Sequence, residues 1–258
     1  MMIAFVICLL ATMAGAATGI GGGIIIKPLL DAVTAIGASK ISFLSGCTVL
    51  TMAATSVFCS RSSLKKLSMK LSTLLASGAA AGGICGKELM RYVRAAFQSE
   101  AALGTIQNMV LLALTILVFL FMMRKDVIRK HRLTHAAAYF ICGMILGVFS
   151  SFLGIGGGPI NLMALMYLFS MSNKEAAISS LYIILLSQAA SLAASALTGS
   201  IPQVDTWTLV QMLIGGALGG YIGRRIAAGP FGAHIDKLFA VMLVMIMCIC
   251  CYNVYTNL

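Results

Sequence analysis

Four glycines stand within the five residues Gly19-Ile20-Gly21-Gly22-Gly23, and the same pentapeptide returns as Gly154-Ile155-Gly156-Gly157-Gly158. Glycine has no side chain to offer, so the chemistry open to such a cluster is that of the main chain. Each glycine costs a helix interior about 1 kcal/mol relative to alanine, so a run of them loosens or breaks a helix and frees its N–H and C=O groups. A segment that restarts beyond the break, near Ile24 and near Ile160, presents free N–H donors and the positive end of a helix dipole. That arrangement binds anions, with no acid, base or nucleophile required.

Few side chains near the clusters could add to this. Lys27 lies beside Pro28 in an otherwise apolar stretch. An ionisable residue inside a membrane segment is a functional candidate by default, and Lys27 would either pair with an anionic substrate or snorkel to the headgroups from a span end. Asn161 follows the second cluster within one turn, and a buried amide there must find partners in the substrate or the backbone. Gln188, Ser187, Ser45 and Thr48 fit interhelical hydrogen bonds worth roughly 1 kcal/mol as well as they fit a cavity lining. The bland reading of glycine in such a chain is close helix packing. It is preferred for Gly82 and Gly86, for Gly215, Gly219 and Gly223, and for Gly216 and Gly220, which recur every four residues along a helix face. Consecutive glycines exceed what packing requires.

The elements that must position these residues follow from composition. With 60% hydrophobic and 10% charged residues and a mean hydropathy of +1.01, the chain has too few polar residues to coat a soluble globule of 258 residues. It is an all-α polytopic membrane protein. Apolar stretches of about 20 residues, enough to cross a hydrocarbon core as helix, read at 2–18, 41–60, 71–90, 104–123, 136–153, 176–199, 207–227 and 238–256. The pentapeptides are 135 positions apart, and Gly82-Gly83-Ile-Cys-Gly86 recurs 137 positions on as Gly219-Gly220-Tyr-Ile-Gly223. Two repeated halves, 1–123 and 136–258, are therefore expected, joined by a basic linker at 124–135. Helices broken at one place in both halves point to a transporter's binding site.

The net charge of +11 sits in short loops, which favours anionic lipid headgroups over nucleic acid as the partner. The basic loops 61–70 and 124–132 lie on one side of the span count, expected to be cytoplasmic; Lys87, Arg91, Arg94, Arg224, Arg225 and Lys237 fall on the other. Both termini would be inside if all eight stretches cross completely. Met1 to Ala17 lacks the positive n-region of a signal peptide and is read as a structural span. A homodimer would cover exposed apolar surface, as lipid also would.

Other chemistries lack their residues. Cys8, Cys47, Cys59, Cys85, Cys142, Cys248, Cys250 and Cys251 lie almost all within apolar stretches and suit small apolar packing; they have no zinc-ligand spacing, and no cofactor is expected. His131, His135 and His234 lie in loops, and no Gly-x-Ser-x-Gly elbow supports a serine nucleophile. Asp31, Glu88, Glu100, Asp126, Glu175, Asp205 and Asp236 fall near stretch ends or in loops, so no carboxylate marks a proton relay at the membrane centre. No Gly-x-Gly-x-x-Gly in a βαβ unit and no Walker lysine suggests a nucleotide.

Two halves each opening on Gly-x-Gly-Gly-Gly, with Pro28 five residues after Gly23 in the first, resemble the TauE/SafE family of sulfite exporters and toluene-sulfonate uptake permeases. The resemblance covers nearly the whole chain. It implies a secondary transporter of the plasma membrane for small anions such as sulfite, sulfonates or other organosulfur compounds, with no ATPase domain of its own. It carries over to Gly19, Gly21, Gly22, Gly23 and Pro28, and to Gly154, Gly156, Gly157 and Gly158. The second half departs from it, with Met163 in the place of Pro28, Pro159 directly after the glycines and Asn161 two residues later. The expected mechanism is alternating access around a site between the two motifs, with Lys27 or Asn161 tuning selectivity and Gln188 a further candidate for the site. A carrier of small carboxylates and a non-transporting anchor subunit are the alternatives, although a scaffold gains nothing from weakening two spans.

Overall fold

The computed structural model describes residues 2–34, 36–61, 69–97, 99–124, 133, 135–229 and 235–257. Most of the expected linker, together with His131 and His234, lies outside them. Among the described residues there are ten helices and no strand: α1 (Met2–Thr18), α2 (Gly23–Val33), α3 (Ala38–Cys59), α4 (Met69–Phe97), α5 (Glu100–Arg124), α6 (Ala136–Leu153), α7 (Gly158–Leu168), α8 (Asn173–Leu197), α9 (Thr206–Ala228) and α10 (Ile235–Asn257). The sequence did not count α2 and α7 as elements. Each has 11 residues and begins on the last glycine of a pentapeptide, close to where a restart was expected. Of the eight stretches read as complete spans, five lie on helices long and apolar enough to cross a bilayer, namely α3, α5, α6, α8 and α10.

Glycine sets how the helices pack. Gly215, Gly219 and Gly223 on α9 lie against Cys8, Thr12 and Met13 of α1, while Gly216 and Gly220 lie against Thr48 and Met52 of α3. Gly78, Gly82 and Gly86 on α4 meet Phe140, Met144 and Val148 of α6. A methyl at most of these positions would run into the neighbour's main chain, so the spacing of four serves close backbone approach. Where water supplies no drive between helices, such packing is what holds a bundle together.

These contacts also fix directions. Residue numbers rise together along α1, α3 and α9, so the three run in one sense; they rise together along α4 and α6. Along α3 and α8 they run oppositely: Gly46 faces Gln188 and Leu192, Val49 and Ile184 flank the same glycine, and Ser39 and Ser195 line one cavity. Since α1 and α3 are parallel, α2 must carry the chain back between them. The second pentapeptide makes the same reversal. The N–H of Leu133, just ahead of α6, donates to the carbonyl of Leu168 at the end of α7 at 3.0 Å, and Tyr139 stacks edge-on to Phe169 at 5.2 Å.

The chain thus enters and leaves each pair, α1–α2 and α6–α7, at one face. The expectation of cytoplasmic termini rests on a count of eight crossings; two further helices, α2 and α7, run back after α1 and α6 and change that count. The start of α1, the turns α2–α3, α4–α5 and α8–α9 and the end of α10 lie at one face, here the terminal face. Arg61, Arg124, Lys174, Arg224 and Arg225 lie at the other, the basic face.

Candidate functional site

The two pentapeptides meet. A methyl on Gly23 would stand 2.7 Å from the carbonyl carbon of Ile155, and one on Gly158 would stand 3.3 Å from Ile24 Cδ1. Each motif also lies on the long helix of the other set of five. Gly19 abuts Ala177 on α8, and Gly154 abuts Ser42 on α3; these partners are themselves 135 positions apart, like the motifs. Gly156 is wedged between Val49 and Ile184, near the middles of α3 and α8. The two motifs therefore touch at mid-depth, on hairpins that enter from opposite faces and reach past each other.

The expected main-chain donors are present. Among the described residues, the N–H groups of Gly22, Gly23 and Ile24 make no backbone hydrogen bond, and neither do those of Gly156, Gly157, Gly158 and Ile160. No side chain caps α2 or α7. Gly157 has φ +98°, a conformation that L side chains rarely adopt, and a methyl there would lie 3.0 Å from Asn161 Oδ1. Asn161 thus folds over the motif that precedes it. It is 1% exposed, and its Oδ1 has no hydrogen-bond partner. The hydroxyls of Ser42, Ser45, Ser179 and Ser180 are likewise buried and unpartnered. Such groups are rare in native interiors and call for a partner, which a bound ligand can supply.

Lys27 is held inside the protein. At 2% exposed it does not reach the headgroups. Its ammonium donates to the carbonyl of Leu153 at 2.9 Å and to Gln107 Oε1, while Gln107 Nε2 donates to the carbonyl of Phe152 at 2.6 Å. Phe152 and Leu153 end α6, so the cation sits on the negative end of that helix's dipole and ties the first hairpin to the second. The residue 135 positions on is Leu162, so this tie has no counterpart.

Pro28 lies inside α2, and its carbonyl accepts from Asn253 Nδ2 at 2.9 Å. Gln188 is buried on α8, donates to Ser150 Oγ at 3.2 Å and faces Gly46; it flanks the second motif without joining it. Asp31 stands near the end of α2, its Oδ2 accepting from Asn108 Nδ2 at 3.3 Å. Sequence reasoning missed Gln107 and Asn108, two adjacent amides in an apolar stretch. That adjacency was the signal available. Among the described residues no group of His, Cys, Asp and Glu could hold a metal.

An all-helical, multi-pass chain with two interrupted helices meeting at mid-depth defines a membrane protein of transporter architecture. The family model for the sulfite exporter TauE/SafE family matches residues 4–249. The chain belongs to this family, one of membrane transporters. No curated protein and no solved structure matches it.

Proposed function

We propose that the protein is a secondary transporter of small anions, sulfite or a sulfonate first among them, working by alternating access about a site between the two glycine motifs. One observation carries this reading: the motifs, 135 residues apart in sequence, touch at mid-depth on hairpins that enter from opposite faces. Such motifs supply amide donors and positive dipole ends where a substrate must pause between two exits. Asn161 adds a polar group that the fold leaves unsatisfied. Beside it, a narrow apolar crevice lined by Ile24, Thr115, Gly157 and Pro159 suits the hydrocarbon part of a small sulfonate. The five helices α1–α5 and the five helices α6–α10 act as inverted repeats, and rocking one against the other exposes the site alternately. The positive-inside tendency assigns the basic face to the cytoplasm of a plasma-membrane protein, and so puts both chain ends outside.

The test is thermal stability of the detergent-purified protein against sulfite, sulfate, thiosulfate, taurine, sulfoacetate, small carboxylates and chloride. A ligand at 100 times its dissociation constant adds about 2.7 kcal/mol, a readable shift. One organosulfur anion is expected to stabilise the parent protein, and Asn161→Ala to lose most of that gain. Stabilisation by carboxylates alone, or by nothing in the panel, would remove the substrate reading.

A further inference from the structure

Lys87 follows Gly86 on α4 as Arg224 follows Gly223 on α9, and Ser60 and Ser195, beside the ends of α3 and α8, are separated by the same 135 positions as the motifs. Under the inverted relation these two pairs are counterparts at opposite faces. Their states differ. Arg224 Nε donates to Ser60 Oγ at 2.8 Å, joining α9 to the end of α3 at the basic face. Lys87 and Ser195 make no bond to each other. They line a cavity of about 60 Å³ at the terminal face, together with Ser39, Glu88, Arg91 and Arg94.

The arginines of that cavity are already engaged, Arg91 with Glu88 at 2.5 Å and Arg94 with Glu100 at 2.8 Å. Among the described residues Lys87 has no carboxylate within ion-pair distance. It stands beside Gly86, which packs against Val148, Ser151 and Phe152, the stretch of α6 leading into the second motif. From the cavity a run of neutral polar groups leads inward. Ser195 Oγ donates to the carbonyl of Ser191, Ser191 Oγ and Ser151 Oγ share a hydrogen bond of 2.7 Å, and Gln188 Nε2 donates to Ser150 Oγ. The carbonyl of Ser150 in turn accepts from the N–H of Ile155 inside the motif.

We propose that the Lys87 cavity is where a small oxyanion enters from the terminal face, and that Arg224–Ser60 is the same site in its closed state at the basic face. An unpaired ammonium draws the anion in, and hydroxyls replace its water on the way to the amides. Exit at the basic face requires the Arg224–Ser60 bond to break, which frees the guanidinium for the departing anion. The inference rests on the carrier reading above.

The experiment labels single cysteines with a small water-soluble maleimide, in protein whose native cysteines, including the exposed neighbour Cys59, have been replaced and which retains the parent's elution profile. Ser195→Cys, on the cavity wall, is expected to react at least about tenfold faster than Ser56→Cys, which lies one turn inside the Arg224–Ser60 bond and leaves that bond intact, the ratio set by one hydrogen bond to a charged group. Arg224→Gln should speed labelling at Ser56→Cys and slow it at Ser195→Cys. Sulfite should protect Ser195→Cys; Lys87→Gln should abolish the protection and Lys87→Arg restore it. Unchanged rates in Arg224→Gln would overturn the exchange of states, and this arm needs no ligand, so it decides even if sulfite is not the substrate. Sulfite carried by proteoliposomes without protecting Ser195→Cys would overturn the entry site while leaving the carrier reading intact.

Discussion

Replacing Gly23 by alanine separates two opposite expectations. Gly23 opens α2 at a helical position, where alanine favours the helix by up to about 1 kcal/mol. If α2 had free space beside it, Gly23→Ala would stabilise. The methyl, however, would overlap the carbonyl oxygen of Ile155 and lie 2.7 Å from its carbon, where carbon atoms rest at about 3.5–4.0 Å. The obstacle is main chain held in the opposing motif, so one hairpin must retreat by about 1 Å. Overpacking of this kind costs about 1–3 kcal/mol, and a backbone obstacle belongs at the upper end. The net loss is about 2 kcal/mol, a fall of roughly 4–8 °C in Tm for a chain of this size. Gly104→Ala on α5 is the control. There a methyl meets Ala38 Cβ at an ordinary 3.5 Å, and propensity alone should act, raising Tm by roughly 2–4 °C. Both variants are read by thermal unfolding in one detergent. A Gly23→Ala protein as stable as its parent, beside a stabilised Gly104→Ala, would refute the contact between the motifs.

Two further outcomes follow from the same geometry. Lys27→Met leaves the Leu153 carbonyl and Gln107 Oε1 without their donor and should cost about 1–3 kcal/mol, seen as a lower Tm without any anion present; unchanged stability with lost anion binding would return Lys27 to the substrate. A tag at either chain end should react with membrane-impermeant reagent on intact cells, whereas a cysteine placed in 62–68 or 125–132 should not, and the reverse pattern would invert the assigned orientation.

The two helix breaks are legible in the sequence. Consecutive glycines break a helix by local propensity, so restarts near Ile24 and near Ile160 were expected and the helices begin at Gly23 and Gly158, while the four-residue glycine ridges of α4 and α9 followed from helical periodicity. What hydropathy does not carry is direction. An 11-residue apolar helix after a break looks the same whether it continues across the bilayer or turns back, and only the pairings of α1 and α3 with α9, with the Leu133–Leu168 bond, separate the two. Lys27 was visible as an ionisable residue in an apolar segment. Its acceptors lie on α5 and α6, in parts of the chain that local pattern cannot connect to it.

The contact between Gly19 and Ala177 bears on how the protein is made. The first hairpin leaves the ribosome with its amides bare, and the surface that receives its tip is synthesised much later in the chain. At about 5–20 residues per second that interval lasts roughly 8–30 s. Until α8 arrives, the α1–α2 turn must wait in the translocon, under a chaperone or at the wetter rim of the bilayer, since exposed main chain in hydrocarbon costs several kcal/mol per group. The last hairpin faces no such delay, because Ser42, which receives Gly154, is already in place. Biogenesis of this chain is therefore expected to be lopsided, with the opening segment the one most exposed to quality control.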